Sequence, residues 1–136
     1  MKKILTVGVY DLLHWGHFEL FRRCKELAGE CGTLTVAVQE DEIVTKYKPQ
    51  TKLVYDWNTR VKMISAIRYV DKVVPYRDID KSIKGIDFDT FVVGQDQNHA
   101  GFQRAIEWCH NNGREVIVLS RTDGISSSLL RAGGLK

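Results

Sequence analysis

Near the amino end of this chain, one periodicity gives way to another within a dozen residues. Residues 4–7, Ile-Leu-Thr-Val, form an apolar run of strand length, and Gly8 ends it. From Gly16 onward Phe18, Leu20, Phe21, Cys24 and Leu27 recur at helical spacing. A buried strand followed by a tight turn and a helix start constrains the local chemistry. The first backbone N–H groups of the helix have no partner inside it, and the macrodipole adds partial positive charge at that end. Such a turn binds anions, phosphates above all. His14 and His17 flank Gly16, which has no Cβ to obstruct a ligand approaching the backbone. Two imidazoles beside this turn suit the charge that develops on a reacting phosphate.

The rest of the chain repeats the strand–helix alternation. Strands are expected over residues 1–7, 33–38, 71–75 (stopped by Pro75), 88–93 and 116–119. Helices are expected over 17–28, 58–67, 79–84 and 102–111, with a terminal helical turn or two over 126–131. Residues 39–56 lack a sustained apolar period and carry Lys46, Lys48 and Lys52, so they read as a long loop with a short helical start at 41–44. This order predicts a single-domain α/β fold over 1–136: a Rossmann-like parallel sheet of about five strands with flanking helices. Ligands of such sheets bind beyond the carboxyl ends of the strands. That rule gathers the turn after the first strand, the basic loop after the second, Gly94-Gln95-Asp96 after the fourth and residues 121–128 after the fifth.

Composition excludes several classes. The net charge of +3 is too small to argue for nucleic acid as a partner, though it is compatible with anionic small molecules. No apolar stretch approaches the roughly 20 residues of a membrane span. Met1-Lys2-Lys3 is not followed by a secretory core, because the apolar run stops at Gly8, so a cytoplasmic protein is expected. Cys24, Cys31 and Cys109 are odd in number and show no C-x-x-C spacing; Cys24 falls on the apolar side of the first helix and reads as core.

Gly8-Val9-Tyr10-Asp11-Leu12-Leu13-His14-Trp15-Gly16-His17 resembles the G-x-F-D-x-x-H-x-G-H signature of the nucleotidyltransferase superfamily, with Tyr10 at the usual Phe. Arg121-Thr122-Asp123-Gly124-Ile125-Ser126-Ser127-Ser128 resembles the R-T-E-G-I-S-T-T signature of its cytidylyltransferase branch. An H-x-G-H match alone would be weak, but both motifs at this separation are specific. The resemblance covers nearly the whole chain and is nearest to the glycerol-3-phosphate cytidylyltransferases.

The resemblance implies CTP and a phosphorylated small-molecule acceptor as substrates, with pyrophosphate as the leaving product. It implies Mg2+ carried mainly by the nucleotide, without a dedicated metal site. It gives His14, His17, Lys46 and Arg121 the catalytic roles. Gly8, Val9, Tyr10, Asp11, Gly16, Gly94, Asp96, Thr122, Gly124, Ile125, Ser126 and Ser127 are expected at the nucleotide. Arg60, Lys48 and Trp57 are expected at the acceptor, Arg60 through a bidentate phosphate contact. Taken alone, Lys46 and Lys48 read as solvated loop charges, Arg60 as a helix-surface arginine and Ser126 as a plain helix cap. A homodimer and a place in capsule or teichoic-acid precursor synthesis complete the implied picture. The family's aromatic-Glu-His-Arg becomes Trp57-Asn58-Thr59-Arg60 here, and its G-D-D-W becomes Gly94-Gln95-Asp96-Gln97. Both departures bear on the acceptor. An adenylyltransferase of the same superfamily and a nucleotide-binding regulator without turnover are the competing readings.

Overall fold

The computed structural model describes residues 2–120. The motif at residues 121–128, and with it Arg121, Thr122, Gly124, Ile125, Ser126, Ser127 and the expected terminal helix, lies outside the described residues.

Five strands form one parallel sheet: β1 (Lys3–Gly8), β2 (Thr33–Gln39), β3 (Lys72–Tyr76), β4 (Thr90–Gly94) and β5 (Glu115–Leu119). Their order is β3-β2-β1-β4-β5, so the chain grows outward from β1 in one direction and then, from β4, in the other. The helices are α1 (Trp15–Ala28), α2 (Asp41–Tyr47), α3 (Trp57–Ser65), α4 (Ile79–Ser82) and α5 (Ala100–Asn111), with a 3-10 turn at Ile83–Gly85.

Strand side chains alternate between the two faces, and each face is buried against helices. Ile4, Leu34, Val36, Val38 and Val92 pack with Phe21, Cys24 and Ala28 of α1 and Ile64 of α3. Leu5, Val7, Ala37, Phe91 and Val93 pack on the other side with Ile79, Ile83, Phe102, Ala105 and Cys109. Cys24 is a core residue, as its position on the apolar stripe implies.

Most element boundaries differ from those read off the sequence by a residue or more, and four of the differences have a clear local reason. α1 starts at Trp15 because the His14 side chain caps it, a role more usual for Ser, Thr, Asp or Asn. α5 starts at Ala100 because His99 caps it in the same manner. β3 runs through Pro75 to Tyr76 instead of stopping there; it is the outermost strand, so a missing N–H can face away from the ladder.

The fourth difference matters most for the site. The short helical start expected at 41–44 runs on through residues expected to be loop to form α2 over Asp41–Tyr47, with acidic Asp41 and Glu42 in its first turn and Lys46 in its last, matching the helix dipole. Seven residues are too few to display a period, and the helix depends on the burial of Ile43 and Val44 and on contacts at its base. Lys46 is thus carried by a helix rather than by a loop, and Lys48 follows directly after it.

Candidate active site

The turn leaving β1 is shaped before any helix begins. Tyr10 adopts φ 55°, a conformation seldom taken by an aromatic residue, and folds its ring back over Gly8. A Cβ at Gly8 would stand 2.7 Å from Tyr10 Cζ, so only glycine fits. The ring packs edge-on against His17 and Phe21, both at 5.3 Å between centroids. Tyr10 is 6% exposed, and its hydroxyl lies beside Thr6, whose Oγ1 donates to Val92 O.

Two imidazoles close the turn. His14 Nδ1 accepts the Gly16 N–H at 3.0 Å, and His17 Nδ1 accepts the His14 N–H at 3.3 Å. Together they form a reciprocal cap on the first turn of α1. With Nδ1 acting as acceptor in both rings, the hydrogen of each neutral imidazole sits on Nε2. The rings stack 3.9 Å apart at 24°. Burial, reinforced by the adjacent His14, lowers the pKa of His17 from 6.5 to about 3. His17 is therefore neutral, and the pair stands beside a helix N-terminus, where an arriving polyanion would favour added positive charge.

A folded pKa below the unfolded value means that the unfolded chain binds the extra proton between those values. The contribution of His17 to stability is full above about pH 6.5 and is lost as pH falls toward about 3, with a slope of at most about 1.4 kcal/mol per pH unit. His17→Gln keeps the capping geometry without the titration. Urea midpoints at several pH values are expected to show a wild-type-minus-variant difference that shrinks on acidification. A constant difference would contradict the buried neutral ring.

Behind the imidazoles the scaffold is tied by buried charge. Asp11 is 2% exposed, and its two oxygens accept the Val54 and Tyr55 N–H groups, each at 2.8 Å. This pins the segment preceding α3 against the β1–α1 turn. Arg60 is fully buried. It donates to Val9 O at 2.7 Å, Gln39 O at 2.9 Å and Tyr55 O at 3.3 Å, and pairs with the Asp41 carboxylate. Trp57 donates its indole N–H to Val38 O at 3.0 Å, and its backbone N–H goes to Asp41.

The expected acceptor contacts of Arg60 and Trp57 are therefore corrected: both side chains face inward. Arg60 joins the β1 turn, the end of β2, the base of α2 and the start of α3. The reason is supply of acceptors. Three carbonyls and a carboxylate converge on one guanidinium, which no surface position offers.

Gly94, Asp96, Lys46 and Lys48, the remaining expected residues among those described, lie at or after the carboxyl ends of β2 and β4. Gly94 ends β4, and Gln97 N–H returns to Gly94 O at 3.0 Å, closing the turn that carries Asp96. Lys46 projects from the last turn of α2, its ammonium 5.4 Å from the Tyr47 ring. Lys48 lies within electrostatic reach of His99, whose pKa is lowered by burial and then by Lys48 and Arg104. His99 repeats the His14 geometry: its Nδ1 accepts the Gly101 N–H at 3.1 Å. The H-x-G spacing at 99–101 was the available signal for that second cap. Gln97, whose side chain spans two strands, had no comparable local signal.

As for a metal ion, among the described residues no group of three or more His, Cys, Asp or Glu is placed to hold one. Asp11 and Asp41 are already engaged by backbone N–H groups and by Arg60.

A profile of the cytidylyltransferase-like family matches residues 5–133. The chain belongs to that family. It is an enzyme of the nucleotidyltransferase kind. This cytidylyltransferase-like chain is 38% identical over 135 residues to glycerol-3-phosphate cytidylyltransferase of Staphylococcus aureus, covering 96% of itself and 93% of that protein. It is 35% identical over 134 residues to the Bacillus subtilis protein of the same name, covering 96% and 95%. It is also 30% identical over 137 residues to an FAD synthase of Thermoplasma acidophilum, covering 96% and 92%. In fold, the cytidylyltransferase-like chain is similar to a lipopolysaccharide core biosynthesis protein from Thermoplasma volcanium. The TM-score is 0.71 at 24% identity, covering 92% and 99% of the two chains.

Proposed function

We propose that the protein transfers the cytidylyl group of CTP to a phosphorylated small molecule, releasing pyrophosphate, with glycerol-3-phosphate the leading acceptor. The observation that carries this reading is the stacked His14–His17 pair, with both Nδ1 atoms used as caps and both hydrogens on Nε2. Neutral donors fixed beside a helix N-terminus suit a triphosphate whose charge shifts during reaction.

An oxygen of the acceptor phosphate attacks the α-phosphorus in line, the bond to the β-phosphate breaks, and pyrophosphate leaves with that electron pair. No covalent protein intermediate is needed; positioning and charge stabilisation suffice. His14 and His17 hold the phosphates through N–H donors. Lys46, on α2, adds a cation, Lys48 meets the acceptor phosphate, and Arg121 with residues 122–127 completes the nucleotide pocket. Mg2+ accompanying the CTP phosphates neutralises part of their charge. The relatives named glycerol-3-phosphate cytidylyltransferase support this acceptor. The Asn58-Thr59 and Gln95/Gln97 departures support a related phosphate or phosphoramidate acceptor as the rival. The reading extends to a cytoplasmic homodimer serving cell-surface polysaccharide precursors.

The relatives named FAD synthase favour ATP as a second nucleotide, since the product in that name contains adenylate. Pyrophosphate release measured with CTP or ATP, against a panel of phosphorylated alcohols, amines and amides, separates these. The expected result is turnover with CTP and glycerol-3-phosphate, exceeding that with ATP by about tenfold or more. Turnover with ATP alone would overturn the cytidylyl reading. Binding of CTP without turnover under any acceptor would favour a regulator.

A further inference from the structure

The central strands do not part at one level. β1 and β2 stay paired to Gly8↔Val38, and β4 and β5 to Gly94↔Leu119. β1 and β4 are paired only from Ile4↔Thr90 to Thr6↔Val92. Before both strands end, the sheet therefore opens a slot with Val7-Gly8 on one lip and Val93-Gly94 on the other. The first lip continues into the His14–His17 turn, and the second into the turn carrying Asp96.

Backbone groups at such a parting lose their ladder partners and need replacements. The Gln97 side chain supplies one to each lip. Its Nε2 donates to Val7 O at 2.9 Å, and its Oε1 accepts the Gly94 N–H at 3.0 Å. A primary amide carries donor and acceptor side by side, so one group can bridge two strands. The residue is itself anchored to β4 through its N–H to Gly94 O.

We propose that Gln97 is a positioning residue for the nucleotide, its amide tying Val7 to Gly94 so that the slot between β1 and β4 keeps one width. The inference rests on the reading of the protein as a CTP-dependent transferase. In parallel α/β sheets, ligands bind where neighbouring strands lead their connections away in opposite directions, and β1 and β4 are that pair here. A slot held at its final width before binding loses less on association than one that must be ordered by the ligand.

Two substitutions separate the tie from mere bulk. Gln97→Leu keeps comparable bulk and removes both hydrogen bonds. Gln97→Glu keeps the acceptor for Gly94 N–H but can donate to Val7 O only when its carboxyl is protonated. Calorimetric titration of Mg2+-CTP into the full-length wild type and both variants, at about pH 5 and about pH 8, is the test, with urea unfolding and steady-state kinetics alongside.

Gln97→Leu is expected to bind CTP about tenfold more weakly at both pH values, as befits the loss of two neutral hydrogen bonds. Its KM for CTP rises by the same factor while kcat stays within about twofold. Gln97→Glu is weak at the higher pH, and its affinity relative to wild type recovers at the lower one. A carboxylate that merely repelled the triphosphate would give that pH trend yet leave Gln97→Leu at wild-type affinity. Wild-type affinity in Gln97→Leu overturns the proposal. Should that variant not fold, a Gln97→Glu to wild-type ratio that is flat with pH overturns it instead. Failure of the wild type to bind CTP at either pH is a separate outcome, which sinks the CTP reading and this inference with it.

Discussion

Replacing His14 or His17 by alanine is expected to lower CTP-dependent pyrophosphate release by about 10²–10³-fold, the usual loss when a preorganised donor to a reacting oxyanion is removed. The two residues also hold the first turn of α1, since each Nδ1 accepts a backbone N–H. A plain alanine therefore mixes two effects: lost donors, and a lost cap costing about 1 kcal/mol. His14→Asn separates them. Asparagine is among the best N-caps and restores the acceptor for the Gly16 N–H, but it cannot place an imidazole Nε2–H against a phosphate. His14→Asn should unfold near the wild-type urea midpoint while turning over as slowly as His14→Ala. Wild-type rates in a folded His14→Asn protein would show that the imidazole pair is architecture and that the chemistry lies elsewhere. Because the rings stack at 3.9 Å, the two losses are expected to be non-additive, with the double variant little worse than either single one.

Arg60 is expected to dominate stability rather than acceptor recognition. Its guanidinium is wholly buried and serves Val9 O, Gln39 O, Tyr55 O and Asp41. Arg60→Met leaves three carbonyls and a carboxylate without their shared donor. Asp41, 41% exposed, can turn to water, but each buried carbonyl left without a donor costs about 1–3 kcal/mol, so a loss of about 3 kcal/mol or more, roughly 8 °C or more in Tm, is expected. Arg60→Lys keeps the charge, but a single ammonium cannot span four acceptors arranged around a planar fork, so most of that loss should remain. Differential scanning calorimetry gives the first readout and the KM for each substrate gives the second. Since Asp41 is the first residue of α2, loosening this tie should raise the KM for CTP through Lys46. A variant as stable as wild type, with only the acceptor KM raised, would restore Arg60 to the acceptor site.

These two residues mark the boundary between what was legible in the chain and what was not. The geometry of the His14–His17 turn could be read locally, because everything that proposes it as a phosphate site lies within ten residues. A strand ends at Gly8, a helix begins after His14, and the first N–H groups of a helix find no backbone partner within it. The parallel sheet could also be read, since strand runs separated by helical periods leave few other topologies. Pro75 shows the limit of local rules. Proline ends a central strand but is tolerated in an outermost one, and only the strand order reveals that β3 is outermost. α2 shows another: its start at 41–44 was legible, but its extent to Tyr47 was not, because seven residues cannot announce a period and this helix is stabilised by what its base touches.

The sequence by itself determined the strand–turn–helix at His14–His17, the alternation of strands and helices, and the family, because each follows from neighbours along the chain or from contiguous motifs. Only the tertiary structure decided that Arg60 turns inward and that Gln97 crosses between strands. The partners of Arg60 lie 5, 19, 21 and 51 residues away, and Val7 lies 90 residues from Gln97. A long polar side chain takes whichever acceptors the assembled fold brings within reach, and no local pattern encodes that choice.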